Sequence, residues 1–241
     1  MVECTQAWDF RIKSQIKRRY ARQAAEDNFL PDCAKRMAKL GYSNDMISLL
    51  PDELQSVFSG CGCPISALTF TGNEVVADLG CGAGIDSFLA SKLLHGGMVI
   101  SVDFTPEMLK ILQRHSQGTP IQLVASDVES LPLTSNIADV VISNAVFNLT
   151  TNKETAYREI HRILKPGGKL AICDLVCRGE LPREVVEDPL GHITSLGGVV
   201  KEYTMRSALE TAGFVEIEIR NHSQFSFVAA VIITARRKRS N

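Results

Sequence analysis

The sequence predicts an α/β protein with a Rossmann-like, doubly wound and mostly parallel sheet, preceded by a helical cap. An apolar, strand-like run at Val75–Leu79 breaks into glycines at every second position of residues 80–84 and then continues as a helix. From Glu74 onward, strand-like and helix-like segments alternate with short connections, which indicates parallel strands joined by right-handed crossovers. An acidic residue, Asp103, ends the second strand-like segment about twenty residues after the glycines, where nucleoside-binding folds place a carboxylate.

The composition describes an ordinary globular protein. The chain has 241 residues, 45% apolar content and a formal charge of −1, enough for one sizeable domain and a small appendage. Without a basic excess we expect no nucleic-acid partner, and we interpret residues 236–239 as a solvated tail. No apolar run approaches the ~20 residues of a membrane helix, so we expect no membrane association. The charged N-terminus predicts no signal peptide and a cytoplasmic location.

The seven cysteines predict reduced thiols. Their number is odd, their spacing is irregular, and the chain is long enough to build its own core. A disulfide framework is therefore not expected.

Residues 1–72 are predicted to form a helical cap on the ligand-binding domain. A helix from Phe10 to about Glu26 places Ile12, Ile16 and Tyr20 on one face. Further cap elements are expected along the chain: a helix at Pro31–Leu40, a short helix capped by Ser43 or Asn44 and ending at Leu49, and a cysteine-bearing loop at residues 59–64.

Residues 73–241 are predicted to form the ligand-binding domain. The expected strands are about Val75–Leu79, Met98–Val102, Gln122–Ala125, Asp139–Ser143 and Lys169–Leu175. The expected helices run near Ile85–Leu94, Pro106–Arg114, Lys153–Leu164 and Tyr203–Ala212. A helical excursion is expected from residue 178 to about residue 198. An antiparallel hairpin of Val215–Arg220 and Phe225–Ala235, turning at residues 221–223, closes the sheet.

The glycine turn predicts the kind of ligand. Its spacing is G-x-G-x-G with Asp78 two residues before the first glycine, whereas a dinucleotide fold requires G-x-G-x-x-G. Gly80 and Gly82 allow the backbone to approach a ligand closely, and Gly84 allows the following helix to pack on the strand.

Asp103 is the candidate ribose ligand, because a carboxylate accepts hydrogen bonds from both hydroxyls of a nucleoside. The alternative is that Asp103 caps the helix that begins at Pro106, a role that Thr105 is also able to fill. An aromatic ring at Phe104 is placed to lie against the base.

The stretch from Asp78 to Gly84 resembles motif I of the class I methyltransferases that depend on S-adenosylmethionine (SAM). The resemblance implies SAM as the cofactor, with Asp78 near its methionyl end and Gly80, Gly82 and Gly84 beneath it. It also implies that Asp127 accepts the adenine amino group while a backbone N–H, here that of Val128, meets a ring nitrogen. Asn144 follows the fourth strand at the carboxyl edge of the sheet, where ligands of open α/β folds bind.

Four stretches together resemble the arsenite methyltransferases, from Tyr20 to about Gly198: residues 41–43, 60–64, 102–108 and 142–149. In that family a tyrosine of the N-terminal helix closes over SAM, which implies this role for Tyr20. The family also uses four cysteines, because thiolates bind trivalent arsenic. Cys33 and Cys61 match the two cap cysteines, whereas the two catalytic-domain positions are Ala145 and Ser195. The family's long C-terminal extension does not appear in this sequence.

No catalytic residue is assigned from the sequence, and the candidates are His192, Cys61 and Cys63. His192 is either a general base beside the acceptor or a solvated loop residue. Cys61 and Cys63 form either a small thiol site or two separate thiols in a turn. Cys173 and Cys177 are interpreted as buried structural thiols.

The main functional hypothesis is a SAM-dependent methyltransferase that acts on a small molecule. Methyl transfer from a sulfonium requires no metal, so no metal site is predicted. One alternative is a metalloid or thiol methyltransferase that uses the cap cysteines. Another is a SAM-binding protein without catalysis, which serves as a sensor or assembly partner. The sequence identifies neither the acceptor nor the oligomeric state.

Overall fold

A single sheet forms the centre of the protein. The computed structural model describes residues 2–25, 32–181, 183–184, 191, 196–225 and 227–239. The strands are β1 Val75–Leu79, β2 Met98–Asp103, β3 Ile121–Ala125, β4 Ala138–Asn144, β5 Leu164–Cys177, β6 Val200–Lys201, β7 Phe214–Phe225 and β8 Val228–Arg237. Within these residues the strand order is β3-β2-β1-β4-β5-β8-β7, and β6 pairs with β5. Strands β1 to β5 are parallel, whereas β8 is antiparallel to β5 and β7. The predicted fold class is confirmed.

Helices cover both faces of the sheet. They are α1 Val2–Ala25, α2 Cys33–Lys39, α3 Asn44–Leu49, α4 Asp52–Ser56, α5 Ile85–Leu93, α6 Pro106–His115, α7 Lys153–Ile163 and α8 Glu202–Thr211, with a 3₁₀ turn at Pro64–Ala67. Helix α1 begins well before the predicted start, and α4 was not predicted because five residues are too few to show a helical period. Among the described residues, no helix is both long and apolar enough to cross a bilayer.

The predicted turn of the C-terminal hairpin is wrong. Residues 221–223 lie inside β7, and the chain reverses between Phe225 and Val228. The pairing of β7 with β8 shifts register between Asn221 and Ser223, so the polar residues mark a bulge in an edge strand. The predicted excursion at 178–198 falls largely outside the described residues.

Two apolar layers hold the elements together. One face of the sheet packs against α7 and α8 through residues such as Tyr157 and Leu209. The other face packs against α5 and α6, and in the same cluster lie cap residues such as Met37, Leu54 and Phe58. The described part of the cap therefore shares its core with the sheet, while the predicted boundary at residue 72 stays a prediction.

The side chain of Ser43 caps the N-terminus of α3, directly after the buried Tyr42. The Ser43 hydroxyl accepts a hydrogen bond from the Met46 N–H at 3.2 Å, as the sequence predicted. The preceding Tyr42 is 2% exposed and meets Phe58 edge to face, with 5.6 Å between ring centroids.

We expect Ser43→Ala to lower the free energy of unfolding by about 1 kcal/mol, because an N–H in the first turn of α3 loses its acceptor. Urea unfolding measures the change. Ser48→Ala, on the exposed side of the same helix, is the control. Equal losses in the two variants would contradict the capping role.

Candidate functional site

Two adjoining cavities lie at the carboxyl ends of the central strands. The first, here called the cap cavity, has a volume of ≈ 90 Å³. Its lining includes Tyr20, Leu54, Phe58, Gly60, Asp78, residues 80–84, Asp86 and residues 144–146. The second, here called the strand-end cavity, is lined by Lys13, Ile16, Phe104, residues 126–129 and Thr150. Both cavities are also lined by Gly80, Val146 and Leu149. The two cavities therefore share part of their walls and together make one candidate site.

The glycine turn forms the floor of this site. Gly80 has a φ of +69°, and a Cβ there would collide with the side chain of Val146. Gly82 has a φ of +55°, and a Cβ there would meet nothing within 4 Å, so its backbone is open to a ligand. At Gly84 a Cβ would collide with Leu112 of α6. The close packing at this glycine is thus against α6 instead of the predicted strand.

Asp103 joins the glycine turn to the start of α6. One carboxylate oxygen accepts from the Gly82 N–H at 2.9 Å and the other from the Thr105 N–H at 2.8 Å. The Thr105 side chain makes no capping bond. Burial raises the pKa of Asp103, while the two N–H donors oppose that shift. Asp103 itself lines neither cavity, but its carboxylate is hydrogen-bonded to Gly82, which lines the cap cavity, and its chain neighbour Phe104 lines the strand-end cavity.

Two buried carboxyl groups face the cap cavity. Asp78 accepts from the Ser87 hydroxyl at 2.6 Å, and Asp86 accepts from the Tyr42 hydroxyl at 2.8 Å. Burial and the neighbouring Asp86 raise the pKa of Asp78 to about 8, and burial raises the pKa of Asp86 to about 6. In the part of the chain that the structure describes, no lysine or arginine lines this cavity. These carboxyl groups, when ionised, therefore suit a ligand with positive charge.

Asn144 attaches the cap to the sheet. Its side-chain oxygen accepts from the Cys61 N–H at 2.9 Å, and its amide nitrogen donates to Gly62 O at 2.7 Å. The same nitrogen lies 3.0 Å from an oxygen of Asp86 and 3.1 Å from the Tyr42 hydroxyl. Asn144 thus lines the cap cavity at the carboxyl edge of the sheet, but its side-chain amide makes its hydrogen bonds to protein groups.

The other predicted cofactor residues divide between the two cavities. Tyr20 lines the cap cavity, whereas Phe104, Asp127 and Val128 line the strand-end cavity. One oxygen of Asp127 accepts from the Glu129 N–H at 2.9 Å. The other lies 2.7 Å from the ammonium nitrogen of Lys13, a residue of α1.

Three thiols gather around Gly62. A Cβ on Gly62 would lie 2.7 Å from the Cys173 sulfur, so Cys173 packs against the backbone between Cys61 and Cys63. Burial and its neighbours, among them Cys61, Asp86 and Cys63, raise the pKa of the Cys173 thiol. Burial also raises the pKa of Cys61, and of Cys63 to about 12.

These thiols do not form a ready metal site. Over the described residues, no group of three or more His, Cys, Asp or Glu side chains is arranged to hold a metal ion. The Ala145 N–H donates to Cys173 O at 2.8 Å and also opposes the rise in the pKa of the Cys61 thiol, so the position that the resemblance matches to a family cysteine lies near Cys61. The other matched cap cysteine, Cys33, begins α2 and is partly exposed.

Sequence reasoning missed several residues of the site. Asp86 lies in the first turn of α5, where a favourable interaction with the helix dipole already accounts for an acidic residue. Lys13 is one of several basic residues of α1, and Cys173 lies in an apolar strand, so neither carried a signal. Tyr42 lies in residues 41–43, one of the stretches that carry the family resemblance, but the sequence indicates no role for its side chain. The candidates His192 and Ser195 lie outside the described residues.

Comparison with known proteins identifies the family of this chain. A family model described as a methyltransferase domain matches residues 70–213. An arsenite methyltransferase of Halobacterium salinarum is 33% identical over 185 residues, covering 75% of this chain and 47% of that protein. One of Aquipseudomonas alcaligenes is 31% identical over 179 residues, covering 70% of this chain and 51% of that protein. The chain spans about half the length of these curated relatives.

The fold is also similar to a solved structure. An arsenic(III) S-adenosylmethionine methyltransferase from Chlamydomonas reinhardtii superposes with a TM-score of 0.62 at 23% sequence identity. The match covers 87% of this chain and 74% of that chain. At this identity the likeness is one of fold.

We expect Asp78→Asn to stabilise the ligand-free protein at pH 8 by roughly 1–3 kcal/mol. The folded pKa of Asp78 is raised from 3.8 to about 8, so the folded state binds more protons than the unfolded state between these values. The wild type therefore loses folding stability as pH rises through this range. The side chain of the Asp78→Asn variant does not titrate, so the variant avoids this loss. Near pH 4 the advantage should vanish.

Urea unfolding of both proteins at pH 4, 6 and 8 measures this difference. Glu210→Gln, which changes an exposed carboxylate on α8, is the matched control. An advantage of Asp78→Asn that stays the same at all three values of pH would show that the carboxyl is not strained by burial.

Proposed function

The chain belongs to the family of SAM-dependent methyltransferases through its methyltransferase domain, and from this we propose that it transfers a methyl group from SAM to a small-molecule acceptor. When bound, SAM supplies an electrophilic methyl group on a sulfonium centre. The observation that carries the proposal is the pair of adjoining cavities at the strand ends, together with the Asp103 carboxylate that is hydrogen-bonded to Gly82 of the cap-cavity lining.

The residues of the strand-end cavity suit the adenosyl group. In the proposed arrangement Asp103 accepts the ribose hydroxyls, since each of its oxygens keeps a lone pair beyond its backbone bond. The base lies against Phe104 and Val128, and its amino group donates to Asp127. Together these contacts would orient the nucleoside along the carboxyl edge of the sheet.

The cap cavity suits the methionyl group. SAM carries positive charge on its sulfonium and ammonium groups, and Asp78 and Asp86 supply the negative charge that a buried cation requires. The open backbone at Gly82 gives the ligand room above the turn. A ligand cation lowers the pKa of a neighbouring carboxyl, so binding at neutral pH is accompanied by proton release from Asp78.

The acceptor is proposed to enter where the cap meets the sheet. Phe58, Gly60 and Tyr20 line the cap side of the cavity, and Ala145 lines the sheet side. The protein's contribution is to hold the acceptor in line with the methyl group and to exclude water by closing the cap. Asn144 supports this closure, because its amide holds the cap loop at Cys61 and Gly62.

A second candidate function is methylation of a trivalent metalloid. It is favoured by the gathering of Cys61, Cys63 and Cys173, and the two curated relatives described above are arsenite methyltransferases. Two observations argue against it. The thiols have raised pKa values and are protonated at neutral pH, and the alanine at position 145 offers no sulfur beside Cys61.

We expect Asp103→Asn to weaken binding of S-adenosylhomocysteine by about tenfold to a hundredfold, because a charged acceptor of two ribose hydroxyls becomes a neutral amide. Titration calorimetry measures the affinity, and Glu210→Gln serves as the control. Thermal unfolding of the ligand-free variant tests whether the fold is retained. A folded variant that binds with wild-type affinity would contradict the proposed site.

Release of S-adenosylhomocysteine from SAM in the presence of a panel of small acceptors tests catalysis itself. Enzymatic transfer gives acceptor-dependent release that Asp103→Asn reduces. Tight binding of SAM without release for any acceptor would favour the alternative of a non-catalytic SAM-binding protein.

With arsenite and excess thiol reductant, we expect wild-type turnover at or near background. The double change Ala145→Cys with Ser195→Cys should raise it, since it restores two soft ligands of the family pattern. Mass spectrometry of methylated arsenic measures the product. Robust wild-type turnover that Cys173→Ser abolishes would instead assign metalloid methylation to the thiols around Gly62.

A further inference from the structure

Helix α1 is fastened to the strand-end cavity by one ion cluster. The Lys13 ammonium nitrogen lies 2.7 Å from an oxygen of Asp127 and 2.6 Å from an oxygen of Glu129. The Lys13 side chain is 26% exposed and that of Glu129 is 10% exposed. A single cation thus bridges two partly buried carboxylates at the mouth of the cavity.

Both carboxylates are held by the sheet domain independently of α1. The second oxygen of Glu129 accepts from the Thr151 N–H at 2.8 Å and the Asn152 N–H at 3.1 Å. The second oxygen of Asp127 accepts from the Glu129 N–H. The anchor for Lys13 is therefore preformed, and little conformational entropy of the carboxylates is lost when α1 docks.

Apolar residues on the same side of α1 cover the cavity. Ile12 and Ile16 are 4% and 2% exposed, and Ile16 lines the cavity itself. Lys17, one turn after Lys13, is exposed. Lys13 is thus the basic residue of α1 that lines this cavity in the described chain, and it lies beside the proposed adenine acceptor.

We propose that Lys13 is a positioning residue for the cofactor, which holds α1 closed over the adenosyl subsite and so sets how long an adenosyl ligand stays bound. The inference rests on the proposed function, because it places the adenine at Asp127. Lys13 and the adenine amino group bind the same carboxylate together, since each carboxylate oxygen accepts two hydrogen bonds. The ligand leaves when the bridge to both carboxylates opens.

Because the contact of Lys13 with the two carboxylates is electrostatic, its strength depends on salt concentration. Salt screens partly exposed ion pairs, and a cation shared by two carboxylates loses more interaction energy to screening than an isolated surface pair does. Dissociation of the ligand from the wild type should therefore become faster as salt rises from 0.05 M to 0.5 M. Dissociation from a protein without the Lys13 charge should depend little on salt.

The test uses the full chain and S-adenosylhomocysteine as the probe. Stopped-flow displacement measures the dissociation rate for wild type, Lys13→Met, Lys13→Arg and the control Lys17→Met. We expect Lys13→Met to dissociate about fivefold faster, with the salt dependence lost. Lys13→Arg should restore both properties because it keeps the charge. Amide exchange of the bound protein across residues 8–20 should be faster in Lys13→Met only.

The outcomes separate this inference from the proposed function. Wild-type protein that does not bind S-adenosylhomocysteine would overturn the proposed function and this inference with it. Tight wild-type binding with equal rates and equal salt dependence in Lys13→Met and Lys17→Met would leave the proposed function standing and overturn the role of Lys13. Rates that arginine fails to restore would likewise overturn an electrostatic role.

Discussion

The burial of negative charge beside the glycine turn is the constraint on which the site depends. Asp78 is 2% exposed and Asp86 is 5% exposed, and each is stabilised by neutral donors instead of a lysine or arginine side chain. Such groups are costly in the ligand-free protein, and burial raises their pKa values for this reason. In the proposed function the same cost favours a cationic ligand in the cap cavity, so the stability of the ligand-free protein and ligand binding are opposed at these two residues.

Asn144 connects this acidic centre to the cap. It is the last residue of β4, where it pairs with Cys173 of β5, and its amide contacts both Asp86 and the loop that carries Cys61. One side chain at a strand end thus links the sheet, α5 and the cap loop. A cap that shares both its polar network and its apolar core with the sheet is expected to close as part of the site.

The cap loop carries the sulfur atoms that bear on a metalloid acceptor. The similarity to arsenite methyltransferases covers 70–75% of the chain in the two relatives above, but Ala145 stands at a position that the resemblance matches to a cysteine. Cys173 reaches the same loop from β5, with its sulfur buried and its pKa raised. Family membership therefore supports SAM chemistry more strongly than it supports a metalloid acceptor.

The sequence by itself determined the sheet, the glycine turn and the placing of Asp78, Asp103 and Asp127 at strand ends. These features depend on short-range periodicity and on backbone conformations that only certain residues adopt. The tertiary structure decided what these side chains meet. Lys13 and Glu129 are 116 residues apart, and Asn144 and Gly62 are 82 apart, so no local pattern encodes either contact. The same reason applies to Cys173, whose neighbours are set by strand pairing and cap docking.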